Sequence, residues 1–102
     1  MRTREDIRAA LEIVDGEIFE SLVRRLDLSR EMAGVKYPEG DSTCDPGREE
    51  EMIMEMVSKY EGVISPSIVR RVYRALIQSG KGVEYLRRRE LVYSGANGSI
   101  RD

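Results

Sequence analysis

The sequence predicts an all-α fold: three helices with a long first one. Three observations carry this. Apolar residues recur at three- and four-residue spacing over long segments. Two steps, Asp45-Pro46 and Ser65-Pro66, place a capping side chain directly before a proline, which is how helices start. Charged residues make up 35% of the 102 residues and aromatics only 6%, with no Trp, a composition poor in the side chains that strands favour.

The first periodic segment runs from about Arg4 to Val35 or Lys36 without a proline. Its seam is Leu11, Val14, Ile18, Ser21, Arg25, Leu28, Met32 and Val35. Gly16 and Gly34 are weak points, each costing about 1 kcal/mol relative to Ala. Pro38 and Gly40 end the segment, and Tyr37 to Cys44 reads as a polar loop. The second helix starts at Asp45-Pro46, carries Met52, Ile53, Met56, Val57 and Tyr60 on one face, and stops near Tyr60, before Glu61-Gly62. The third starts at Ser65-Pro66 and carries Val69, Val72, Tyr73, Leu76, Ile77, Gly80, Val83 and Glu84, reaching Leu86 or beyond. Tyr93 to Ser99 reads as a frayed terminus, so residues 1–90 form one domain and 91–102 a C-terminal tail or linker.

A first helix of about 32 residues is a rod of roughly 48 Å. A compact chain of this size has a radius of gyration of only ~13 Å. Such a rod outruns its own chain's core, and its apolar seam needs a partner. The expectation is an intertwined homodimeric helical bundle. A break at Gly16 or Gly34 would instead give a three-helix monomer.

Each helix puts one charged residue on its oily stripe: Arg25, Glu49 and Glu84. Ionisable groups are rarely buried unless paired or serving a site, so three on three helices point to a polar pocket inside the bundle. The chain has no His and a single cysteine, Cys44. That excludes His-based triads and dyads, His-ligated metals, disulfide frameworks and Cys-based metal sites. No glycine-rich phosphate loop occurs. The net charge of −2, with Arg24-Arg25, Arg70-Arg71 and Arg87-Arg88-Arg89 interleaved with acids, argues against nucleic acid as a partner. No apolar run is long enough for a membrane span, and Met1-Arg2-Thr3-Arg4 leads into no secretory segment, so a stand-alone cytoplasmic protein is expected. An enzyme built from this chain works with Arg, Lys, Asp and Glu.

Arg25 and Lys36 are eleven residues apart, three helical turns, so they share a face about 16 Å apart and can flank a small dianion. Arg8 lies about 25 Å from Arg25 along the same rod and cannot reach that ligand. In an antiparallel dimer, the partner copy's equivalent of Arg8 would arrive there.

The order and spacing Arg8…Asp15…Arg25…Lys36…Asp45-Pro46-Gly47-Arg48-Glu49…Glu84 resembles the AroQ-type, all-helical chorismate mutases over roughly residues 4 to 90. The Arg-x10-Lys step and the Asp-Pro-x-Arg-Glu helix start occur together at that family's distances. The resemblance implies an isomerase that converts chorismate to prephenate by a Claisen rearrangement, in Phe and Tyr biosynthesis. It further implies an intertwined homodimer with two equivalent sites and no cofactor. Carried across, Arg25 and the partner's Arg8 clamp the substrate carboxylates. Lys36 bonds the ether oxygen and a neighbouring carboxylate, Glu49 and the Asp45 region hold the ring hydroxyl, and Arg48 braces the acidic side. Glu84 falls where many bacterial members have a glutamine that donates to the ether oxygen, and some others a glutamate. Gly80 falls where some relatives have a serine that touches the substrate.

This chemistry needs no nucleophile and no net proton transfer, only a frozen reactive shape and cations near the breaking C–O bond. An ionised carboxylate cannot donate, so Glu84 is expected to carry a proton when the enzyme works. Simpler readings stand beside these: Asp45 as a helix cap and Glu49 as a favourable charge at a helix N-terminus. Two rival functions are an isochorismate-pyruvate lyase, which resembles this family, and a non-catalytic helical dimerisation or regulatory module.

Overall fold

The computed structural model describes residues 1–39 and 45–101, with side chains described for 1–37 and 45–93. Two 36-residue helices, α1 (Arg4–Glu39) and α3 (Pro66–Arg101), are joined through a 14-residue helix, α2 (Pro46–Lys59). No strand occurs among the described residues, so the fold is all-α as expected.

A reciprocal cap starts α1. The Thr3 backbone N–H donates to Asp6 Oδ2 (2.9 Å) and the Asp6 N–H donates to Thr3 Oγ1 (3.1 Å). Those bonds, the backbone one foremost, hold the Asp6 carboxyl below its ordinary value. The helix then passes through Gly16 and Gly34 without a break, making a rod of about 54 Å. It also runs past its expected end at Lys36 to Glu39, so Tyr37–Glu39 are helical and not loop. Pro38 has no N–H and leaves one helical bond unmade, a loss that the last turn of a long, already nucleated helix can tolerate. The remainder of the expected loop, including Cys44, lies outside the described residues.

Asp45 caps α2, its Oδ1 accepting the Arg48 N–H at 3.1 Å, with Pro46 at the first helical position. The turn after Tyr60 uses Gly62 at φ +79°, a left-handed conformation that glycine adopts without steric cost. Ser65 then caps α3, its Oγ accepting the Ile68 N–H at 3.4 Å. The expected frayed segment from Tyr93 is instead helical backbone to Arg101. No proline interrupts it, and Gly95 and Gly98 each cost about 1 kcal/mol, which an established helix propagates through.

Helix α3 packs against both other helices, while α1 and α2 do not pack on each other. Arg25 meets Leu76, and Lys36 meets Glu84, so α1 and α3 run the same way. The short turn folds α2 back along α3, where Glu50 meets Arg70 (2.9 Å) and Arg74 (3.6 Å).

The face of α1 that α3 covers is Leu22, Arg25, Leu26, Ser29, Ala33 and Lys36. Small residues at 29 and 33 let the two backbones come close. The apolar seam beside it turns away: Leu28, Met32 and Val35 are 63%, 48% and 56% exposed. Among the described residues the buried apolar core is only Ala33, Ile53, Val69 and Ile77.

The chain is correspondingly elongated, 69 × 31 × 14 Å with a radius of gyration of 18.6 Å, against about 13 Å for a compact domain of this length. It exposes 8125 Å², against roughly 5,900 Å² from the scaling of surface with mass. Among the described residues no helix is long and apolar enough to cross a membrane.

Candidate active site

The three charges on three oily stripes meet at one place. A cavity of about 890 Å³ opens between the second half of α1, the start of α2 and the middle of α3, lined by Arg25, Lys36, Asp45, Arg48 and Glu84. A smaller hollow of about 160 Å³ adjoins it, sharing those residues and adding Glu49, Ile77, Gly80 and Lys81. Six of the seven expected site residues therefore face one space.

Arg8 does not join them. It lies in the exposed first half of α1, about 25 Å from Arg25 along the helix.

Each side chain is placed by a specific local cause. Arg25 sits on the covered face of α1, and its Nη1 donates to the Leu76 carbonyl of α3 at 2.8 Å. A guanidinium has five N–H donors, so one is anchored and the others remain for the cavity. Lys36, three turns on, brings Nζ to 3.1 Å from Glu84 Oε1. That oxygen is buried yet accepts no hydrogen bond among the described residues, because the ammonium lies close to it without bonding geometry. It is an ion pair with bonding capacity left over. On the wall of this polar cavity, such a group can still meet a hydrogen-bonding group of a ligand.

Asp45 spends one oxygen on the Arg48 N–H as a cap while its side chain lines the cavity. Arg48 is largely exposed at the rim, its Nη1 4.0 Å from Glu51. Glu49 pairs with Lys81 Nζ at 2.7 Å, and both side chains are about three-quarters buried.

Lys81 and Ser29 were not anticipated. Lys81 follows Gly80 on the α3 stripe, and Ser29 follows Arg25 by one turn, so both spacings were visible. A lysine or serine on a helix is ordinarily solvated, and nothing in their types set them apart. Met32 and Met52, from the apolar stripes of α1 and α2, line the cavity wall.

Behind Arg25 lies a second hollow of about 310 Å³ with apolar walls, among them Met56, Tyr60, Ile68, Val72 and Leu76. Arg25 is the partition between a polar cavity and an oily one.

The polar cavity thus offers cations from α1, α2 and α3, acids opposite them, and thioether and aliphatic walls. This arrangement suits a small, doubly anionic molecule that also carries a hydroxyl. A family profile described as chorismate mutase type II matches residues 7–85. The chain belongs to that family. No curated protein and no solved structure gives a significant match. The matched span contains every expected site residue from Arg8 to Glu84, and the chorismate mutase type II family supports chorismate mutase function, with chorismate as substrate.

Proposed function

We propose that this protein rearranges chorismate to prephenate in a site completed by a second copy of the chain. The observation that carries the reading is the meeting of Arg25, Lys36, Arg48, Glu49 and Glu84 at one cavity within a chorismate mutase type II chain. In the reaction the ether C–O bond breaks as a C–C bond forms, and no proton is gained or lost overall. Catalysis then consists of holding the flexible dianion in its reactive shape and stabilising negative charge on the departing oxygen.

Arg25 is suited to grip one carboxylate, since its bond to Leu76 fixes the guanidinium plane before substrate arrives. Lys36 approaches from the same helix and places positive charge at the ether oxygen. Glu84 stands beside Lys36, 3.1 Å from its Nζ, and in the proposed role it donates to that oxygen, which a carboxyl can do only while it carries a proton. Glu49, held by Lys81, accepts the ring hydroxyl. Arg48 stands at the rim, and Asp45 caps the helix that carries Arg48 and Glu49.

The second copy is needed because no residue of this chain reaches the cavity from the first half of α1. Three facts support it: a radius of gyration well above the compact value, surface in excess of that of a compact chain, and an α1 seam that its own chain leaves bare. Laid antiparallel, the partner's first half of α1 would cover that seam and deliver its own arginine at position 8.

The deciding experiment follows chorismate by its ultraviolet absorbance together with the native mass. Expected are loss of chorismate, appearance of prephenate and a mass of twice 11.7 kDa. A stable dimer with no turnover would leave only a dimerisation module. Release of pyruvate from isochorismate would mark a lyase instead.

A further inference from the structure

Helix α3 has glycines at 80 and 82, and their surroundings are opposite. A Cβ on Gly82 would meet nothing within 4 Å. A Cβ on Gly80 would lie 2.9 Å from Ser29 Oγ, which would have to move, and 3.0 Å from Arg25 Nη1, tight enough that the guanidinium would have to give by a few tenths of an ångström. Gly80 is itself buried. The same Nη1 donates to the Leu76 carbonyl, one turn before Gly80. Side chains on a helix lean back over the turn that precedes them, so in this chain, where Arg25 Nη1 and Ser29 Oγ already fill the space, a β-carbon at 80 would crowd the approach to that carbonyl. The Leu76 oxygen has two lone pairs, one for its helical bond and one for an outside donor.

We propose that Gly80 is a positioning residue for Arg25: the missing β-carbon is the opening through which the guanidinium reaches the Leu76 carbonyl and is aimed at the cavity. Glycine weakens a helix interior, and at position 82 nothing nearby compensates for that. At position 80 the compensation is the seat of the arginine. The inference rests on the reading of the cavity as the chorismate site, and it adds a specific requirement of this chain, that residue 80 be small.

The test compares Gly80→Ala with Gly82→Ala in steady-state chorismate kinetics, thermal melting and native mass. Gly82→Ala is expected to melt higher and to keep kcat and KM. Gly80→Ala is expected to keep its helix content and mass while KM rises roughly tenfold or more, as suits a misaimed clamp. In an Arg25→Lys background Gly80→Ala is expected to add nothing, because both changes act through one contact. A folded Gly80→Ala with unchanged KM, or one whose loss persists undiminished on Arg25→Lys, overturns the proposal.

If Gly80→Ala does not fold, the pair Ser29→Gly with Gly80→Ala clears the nearer obstruction and is read the same way. A guanidinium ¹⁵N spectrum separates this inference from the function. An unmodified protein without chorismate turnover defeats the function alone. Arg25 signals split by hindered rotation, and merged in Gly80→Ala, still support the seat, whereas identical spectra refute it.

Discussion

The two halves of α1 are one continuous helix in very different circumstances. From Leu22 to Lys36 it lies on α3, contributes Ala33 to the core and presents Arg25 and Lys36 to the cavity. From Arg4 to Ser21 every side chain except Ala10 is exposed, although Ile7, Leu11, Val14 and Ile18 form as good an apolar stripe as any in the chain. The sequence pattern is continuous across the boundary, and the packing is not. A hydrophobic stripe therefore says that something must cover it, without saying whether its own chain does so. In this protein the covered half presents Arg25 and Lys36 to the cavity, and the bare half carries Arg8, which does not reach it.

The sharpest way to break this contrast is to remove one arginine from each half. Arg25→Ala and Arg8→Ala are each expected to lower kcat/KM roughly 10²- to 10³-fold, the scale of losing one preorganised charged donor in a desolvated site. If the halves meet across two chains, mixing the two inactive variants should recover about a quarter of the unmodified activity. Half of the dimers would be mixed, and each of those would have one intact site. No recovery after exchange would show that the two arginines do not meet across chains.

Stability should divide along the same line. Ile53→Ala empties a position that is only 2% exposed, one of four buried apolar positions among the described residues, and is expected to cost roughly 2–4 kcal/mol in chemical denaturation. Leu11→Asp, in the bare half, should leave helix content nearly intact while lowering the native mass to that of one chain. An unchanged mass would show that the first half of α1 is solvated by design.

Glu84 gives a smaller effect. Glu84→Gln keeps the side chain's shape and supplies an amide N–H that can donate to the ether oxygen, so turnover is expected to persist or rise in steady-state chorismate kinetics. A Glu84→Gln variant that folds and loses turnover would remove the donor role.

Least affected should be the outer clip of α1 to α3, where Glu90 meets Arg87 at 2.9 Å and Arg30 at 3.5 Å. The Arg87 hydrogen bond, helped by the Arg30 charge, holds the Glu90 carboxyl below its ordinary 4.5. Its stabilisation is therefore present above that value and lost as pH falls through the lower folded one. All three side chains are well exposed, so Glu90→Gln should move the melting temperature at neutral pH by an amount at the edge of detection.

Much of the site was legible because it violates a pattern. Arg25, Glu49 and Glu84 are charges on apolar stripes, and Lys36 follows Arg25 by three whole turns. Asp45 was marked by the proline after it. Lys81 was not legible, since its pairing with Glu49 depends on how α2 folds against α3 and not on either helix alone. The tether of Arg25 to Leu76 uses a main-chain oxygen, which no residue type announces. The face that α1 lays on α3 was hidden for a related reason: Ser29 and Ala33 matter there for being small, and smallness leaves little trace in hydropathy. The ends of α1 and α3 ran past the expected stops because proline and glycine raise the cost of a turn without forbidding it.

A bare stripe along half of α1, once covered by a second copy as proposed, would make the dose of this protein non-linear. If a working site takes parts from two polypeptides, catalytic output at scarce supply rises with the square of the amount synthesised and becomes proportional only once pairing is complete. A cell making little of it would then obtain far less than its share of turnover, and dilution in the cuvette would silence it before any residue had been changed.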